Sequence, residues 1–485
     1  MTASFLNDNI EILTASIIAS DGSAIDVRYL ISDFMMQESI FLHCMNGALS
    51  LMDGIGLIDK LPIVGEEFFI IKFRTPEMGN VFVTKTFAIY NVNARQKVDD
   101  KLEHYTLNMI SLEGMINIMT VVNKNYVGLR YDEIVKKIFD DFIINSDLKG
   151  GVGGKDRYID FIKNKKSLGV DRSSGLQSLT TVGDNPFTII QKCADSAQSL
   201  DYVDSDFVFY EDRDEFNFIA ISSLLEQDPV SEKLGSYVMG DQGMDESRVI
   251  KDGGKHRFLY VRQLEYNAGP DSIKSSSTGM YGNKTFAFDP ILKKRNTITN
   301  NYLNIQKDKK IPSFKTLDKN NLVSEKSIYK NDDGTSHTQY YINNIFDKNY
   351  EEVDYMKNRI RENTDRHLFH HDDSYKSRGR TTMKFSLLEN YIITIAVGGN
   401  SNLKAGMIIN VDIPLSSDFQ EDKKRPFSHL FGNKTTNKFI IISVTHNFIG
   451  TGGRYFTMLS LAKDSYFTNI NNDYQGKLKN DGKFE

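Results

Sequence analysis

The sequence has no tryptophan, two cysteines and nine prolines among its 485 residues. Cys44 and Cys193 lie far apart, so they support neither a disulfide framework nor a paired-cysteine zinc site. A reducing compartment is the simple expectation. Residues 1–27 contain no Lys or Arg, so the basic start of a secretory signal is missing and no export is expected. Apolar runs such as Phe439 to Ile442 fall far short of the roughly 18–20 residues that span a bilayer, and no stable membrane binding is expected. An excess of positive charge is also missing. Lys and Arg total 59 against 64 Asp and Glu, a net −5 that does not suggest a nucleic-acid binder.

What remains is ordinary material for folded domains in water: 40% hydrophobic and 25% charged residues, with length for two to four domains. The 31 Phe and 23 Tyr, combined with scarce Pro, lean towards sheet. Short strand patterns fill the first ~125 residues. Asn9 to Ile18 precedes a turn at Asp21-Gly22-Ser23 and is followed by Ile25 to Leu30; Glu66 to Phe73, Thr84 to Asn93 and Tyr105 to Leu112 follow. Helical spacing then takes over, with Ile134, Val135, Ile138, Phe139, Phe142 and Ile143 on one stripe of Tyr131 to Ile143. Asp184-Asn185-Pro186 is a helix start. Asp206 to Tyr210, a polar turn at Glu211 to Asp214, and Glu215 to Ala220 read as a hairpin.

Residues ~265–380 become polar. Ile291 to Lys330 holds 10 Lys and Arg against 3 Asp and Glu, the pattern of an extended arm or solvated loop. A short amphipathic helix is expected at Glu351 to Glu362. Strands are expected again at Met383 to Val397, Ala405 to Pro414, Lys438 to Phe448 and Arg454 to Leu461.

Two distant windows echo one another. Gly65 opens the strand to Phe73, and Gly406 opens the strand to Ile413. Phe87-x-Ile89-x-x-Val92 matches Phe439-x-Ile441-x-x-Val444. A Tyr-led strand ending Ser-Leu then closes each window (Tyr105 to Leu112; Tyr455 to Leu461). Order and residue type agree across three strands, which suggests two barrels of one design around an α/β unit.

These residues resemble the baseplate central hub proteins of contractile-tailed phages and related injection machines. The likeness is carried mainly by Leu403 to Val411, Phe439 to His446, the glycine turn Gly450 to Gly453 and Tyr455 to Leu461. Gly183 to Ile190, opening a helix, is also similar. The resemblance implies a mainly β fold with α+β insertions: two tail-tube-like β-barrel domains plus an intervening α/β domain. The expected division is 1–125 for the first barrel and 126–245 for the α/β domain. Residues 246–380 would be a polar, locally basic extension completing or inserted in the second barrel, 381–466 that barrel, and 467–485 a flexible tail.

The resemblance also implies a function: a homotrimer whose six barrels form a pseudo-sixfold ring, adapting the hexameric tail tube to the trimeric central spike. A duplicated chain taken three times suits that task, having six similar surfaces and true threefold symmetry. The implied partners are the chain itself, the tail tube protein, the central spike protein and other baseplate proteins. DNA would only pass through the lumen. The implied location is the virion tail baseplate, assembled in the host cytoplasm.

No catalytic, cofactor-binding or metal-ligating residue is assigned. Gly150 to Lys155 looks like a phosphate loop, but the motif requires Gly-Lys-Ser/Thr and Asp156 follows Lys155. His367, His370 and His371, beside Asp372 and Asp373, have ligand chemistry, yet Leu368 stands where a zinc hydrolase needs Glu. His446 sits in an alternating strand and reads as a packed or surface strand residue. Glu66/Glu67 and Glu351/Glu352 offer carboxylates, but a glycosidase's two carboxylates are brought together by the fold, and charges at strand ends and helix starts are commonplace. The alternatives are a baseplate-associated cell-wall hydrolase, or a peripheral adhesin or wedge protein.

Overall fold

The computed structural model describes residues 10–19, 22–61, 63, 65, 67–75, 82–145, 166–175, 177–202, 206–230, 237–239, 259–268, 271–280, 282–289, 294–301, 337–342, 374–389, 391–412, 438–450 and 454–463. The chain is mainly β. Its first strands are β1 (Glu11–Ile18), β2 (Ala24–Asp26), β3 (Ile31–Ser39), β4 (Asn46–Asp53), β5 (Phe68–Arg74), β6 (Val83–Asp99) and β7 (Leu102–Ser111). They run side by side as β3-β4-β7-β6-β5-β1-β2. Alternation drives the arrangement: Gly47, Leu49, Leu51 and Asp53 of β4 point inwards while their neighbours are partly exposed. Phe34, Phe69, Phe73, Phe87 and Tyr105 fill the core of this half.

A mixed unit follows. Helix α1 (Leu57–Lys60) is a single turn, and α2 (Leu112–Met119) starts on Ser111, whose side chain accepts from the Gly114 N–H. β8 (Val122–Leu129), α3 (Tyr131–Phe139, continuing as a π-helical turn Asp140–Ile144), β9 (Leu168–Val170), β10 (Gln177–Asp184) and α4 (Pro186–Ser196) lead to the hairpin β11 (Phe207–Glu211) and β12 (Phe216–Ala220). Helix α5 (Ile221–Leu225) ends it. The expected helical stripe packs as read, with Ile134, Ile138 and Phe139 against Ile189, Ile190, Phe209 and Phe216.

The remaining strands are β13 (Tyr237–Met239), β14 (Tyr260–Ala268), β15 (Gly282–Asp289), β16 (Lys294–Asn301), β17 (His337–Ile342), β18 (Ile392–Gly398), β19 (Ile408–Asp412), β20 (Lys438–Ile449) and β21 (Arg454–Ala462), with helices α6 (Ser272–Ser277) and α7 (Ser374–Glu389). β15, β16 and β17 form a separate three-stranded sheet. The others close on themselves. β14-β18-β21-β20 is extended by β19, and β13 joins β19 back to β14 through parallel ladders. Inside lie Ile393, Ile395, Ile409, Val411, Ile441, Leu459 and Leu461.

The two halves repeat one design, residue by residue. β3, β4, β5, β6 and β7 correspond to β14, β18, β19, β20 and β21 in chain order and in neighbours. Registers agree: Phe69 opposite Phe87 matches Ile409 opposite Phe439, and Leu49 opposite Leu107 matches Ile395 opposite Leu459. Bulges agree as well. The shift between Ile31 and Asp33 recurs between Val261 and Gln263, and that between Ile89 and Asn91 recurs between Ile441 and Ser443. Bulges are placed features that bend a strand, so matched bulges at matched positions point to duplication. The sixth strands differ: β1 meets β5 antiparallel, whereas β13 meets β19 parallel.

Several expectations need correction. The Phe-x-Ile-x-x-Val match is in register, but Tyr105 corresponds to Thr457 rather than Tyr455, because Leu51 faces Tyr105 as Val397 faces Thr457. The Tyr-led part of the echo is therefore slipped by two residues and the Ser-Leu part by three. The strand expected from Met383 begins only at Ile392; Met383 to Glu389 end helix α7. An apolar run alone does not separate helix from strand, and here Leu388 is buried in a helix. Tyr237–Met239, expected in the α/β unit, belongs to the closed ring. Part of the basic stretch is strand β16, with Arg295 over the Phe286 ring. The expected helix at 351–362 lies outside the described residues.

Candidate functional site at the seam between the halves

The halves join into one sheet where β20 pairs antiparallel with β3, from Ser443 opposite Ser39 to Ile449 opposite Asp33. Strand β20 can do this because it changes partner midway. Residues 438–440 pair with β19, the shift at Ile442 redirects the strand, and residues from Ser443 onwards pair with β3. The Ile40 N–H donates to the Ile442 carbonyl (2.9 Å), and the Gly450 N–H donates to the Ser32 carbonyl (2.6 Å). The Ser443 hydroxyl donates to the Glu38 carbonyl at 2.9 Å. Across this seam the Phe34 and Phe448 rings lie 5.2 Å apart, and Phe448 stacks on Tyr455 at 4.6 Å.

Beside these rings is a buried cluster of charges. The β11–β12 hairpin tip, which the sequence presents as a polar turn, docks here. Glu211 accepts from the Met45 N–H (2.7 Å) and is ion-paired with Lys166, whose ammonium also donates to the Asp212 carbonyl at 2.7 Å. The Lys166 N–H donates to Glu113 at 3.0 Å. Lys404 reaches Asp212 (3.4 Å) and Asp214 (3.0 Å), and Arg213 donates to the Ser401 carbonyl. Glu38 Oε1 accepts from the Ala405 N–H at 2.9 Å, while Glu38 Oε2 has no partner among the described residues.

Protonation follows from this packing. Burial, reinforced by the charge of Asp212, pushes the Glu38 carboxyl up to about 7. Burial holds the Lys85 ammonium well below its usual range, with Lys166 adding repulsion. For Lys166 burial opposes the charge, but Glu211 and Glu113 outweigh it and keep the ammonium charged. His446 is buried, its Nδ1 2.8 Å from the Tyr455 hydroxyl, and burial lowers its pKa to about 3. It is a neutral packed residue. The cluster therefore clamps the hairpin tip to Met45 and Lys166 on one side and to Ser401 and Lys404 on the other.

Lys85 was legible in principle, since Val83, Lys85 and Phe87 alternate inwards along β6. Glu38 follows Phe34 and Met36 in the same way along β3, whereas Lys166 had no such signal. Of the features weighed for chemistry, Gly150 to Lys155, His367 to Asp373 and Glu351/Glu352 lie outside the described residues. Glu67 is buried and accepts from the Gly65 N–H at 2.9 Å. Among the described residues no group of three or more His, Cys, Asp or Glu is placed to hold a metal ion. No helix among them is long and apolar enough to cross a membrane.

The fold is similar to that of a tail protein of known structure. The tail protein from Neisseria meningitidis MC58 superposes with a TM-score of 0.50 at 10% identity, covering 94% of this chain and 97% of that one. A 43 kDa tail protein of prophage MuSo2 from Shewanella oneidensis gives a TM-score of 0.49 at 9% identity, covering 93% and 98%. In sequence, the chain is similar to the probable baseplate hub protein gp334 of Vibrio phage KVP40. They share 20% identity over 378 residues, 76% of this chain and 77% of the relative. No protein-family model matches the chain. The resemblance to baseplate hub proteins read from the residues is thus found again by comparison with the whole sequence.

Proposed function

We propose that this chain is a structural hub of a contractile phage tail baseplate. It acts as a homotrimer in which two sheet halves per copy make a pseudo-sixfold ring. One end of the ring meets the hexameric tail tube and the other the trimeric central spike, with a lumen for DNA passage. The five-strand repeat carries this reading, because a chain with two register-matched halves supplies six similar units from three copies. The similarity to a probable baseplate hub protein supports it and sets the location in the virion tail. In this reading 1–125 forms the first tube-like barrel, and 381–466, completed by β13 and β14, forms the second. The role is non-enzymatic, in keeping with relatives named as tail and hub proteins.

The test is the solution mass by light scattering after size exclusion, at low and high salt. Three chains of 55.3 kDa give about 166 kDa, insensitive to salt because obligate interfaces bury apolar surface. A 55.3 kDa species that also stays single when spike protein is added would overturn the proposal.

A further inference from the structure

The duplication leaves an asymmetry that identifies an interface. In the second half, β20 leaves β19 at its bulge and runs on to pair with β3. In the first half, β6 leaves β5 at the equivalent bulge, where the Ile89 N–H donates to the Glu67 carbonyl, as the Ile441 N–H donates to Met407. Beyond it, Asn91 to Asp99 pair with β7 on one side, and the outer edge has no ladder among the described residues. All these residues but Val92 are exposed. Tyr90, the counterpart of Ile442, is 53% exposed, whereas Ile442 is 8% exposed under the seam. The counterpart of β3 is β14. Beyond Val261 its described ladders run to β18 alone, and Glu265 and Asn267 are exposed beside Tyr266, 56% exposed.

From this geometry we infer that the outer edge of β6 in one copy pairs antiparallel with the outer edge of β14 in a second copy, repeating between chains the β20–β3 seam within each chain. Long open edges are templates for another strand. The equivalences fix the register. Thr445 faces Gln37, so Asn93 faces Ala268, with Asn267 at the bulge; Asn447 faces Met35, so Gln96 faces Glu265. The contact is head-to-tail, and it closes a ring with alternating within-chain and between-chain seams. The inference rests on the trimer proposed above and adds the surfaces that make it.

The test is a cysteine pair across the expected register in the full chain. Gln96→Cys with Glu265→Cys, oxidised with diamide, should give dimer and trimer bands on a non-reducing gel. Each single variant should stay monomeric on the gel, and the two singles mixed should give dimer only. Asn93→Cys with Ala268→Cys is the second pair. Lys97→Cys with Glu265→Cys, one residue out of register, should cross-link at least several-fold less. Native thiols stay out of the reaction, since Cys193 is buried and burial pushes the Cys44 thiol up to about 12. A species near 166 kDa in which neither matched pair cross-links rejects these edges and leaves the trimer standing. A species that remains at 55.3 kDa even with spike protein added rejects both.

Discussion

The two sheet halves share five strands and their registers, yet one half is sealed and the other is open. In the second half, β13 closes the ring and β20 continues under cover of β3. In the first, β1 lies antiparallel to β5 and the far part of β6 stands in solvent. The same divergence shows at single positions. Asp53 follows β4's Met52 and accepts from the Ile55 and Leu57 N–H groups, capping the turn of α1. Its counterpart is Gly399, where a Cβ would stand 2.0 Å from the Tyr455 ring. One copy of the design is thus closed within the chain, and the other presents an exposed edge.

Variants can break or sharpen this comparison. The largest effect is expected at the clamp. Lys166→Ala leaves Glu211 buried without its cation and should cost about 3–5 kcal/mol, read as a lower denaturation midpoint. Gly399→Ala should lose on the order of 3 kcal/mol by forcing Tyr455 off Phe448.

The pH dependence is subtler. The folded pKa of Glu38 lies above its unfolded value, so its contribution is full below about pH 4.5 and is lost as pH rises towards about 7. His446, with a depressed pKa, works the other way: its contribution is present above about 6.5 and is lost as pH falls towards 3. Glu38→Gln should therefore gain about 1–3 kcal/mol relative to the native chain between pH 5 and pH 8, measured by urea unfolding at both values. The smallest effect separates the halves directly. Ile442→Ala should cost about 2 kcal/mol in folding. Tyr90→Ser should stay within about 0.5 kcal/mol on folding of a single chain yet weaken assembly.

Much of this was legible in the sequence, for identifiable reasons. Phe87, Ile89 and Val92 match Phe439, Ile441 and Val444 because both triplets straddle a bulge that fixes which residues face the core. The helical stripe at Ile134 to Ile143 and the Pro186 start were readable because period and cap agree. Strand β14 was hidden, since Arg262, Gln263, Glu265 and Asn267 interrupt any apolar alternation. That polarity belongs to an edge. The clamp was hidden for another reason: Glu38, Lys166 and Glu211 meet from distant parts of the chain, and no local spacing announces a buried ion cluster.

The most direct test of the central claim is an end-on electron-microscopy average of the assembled protein. Two matched halves per copy, joined by alternating seams, predict six lobes of similar density around a lumen, with strict symmetry only threefold. Three separated lobes, with no sheet density bridging neighbouring copies, would contradict it.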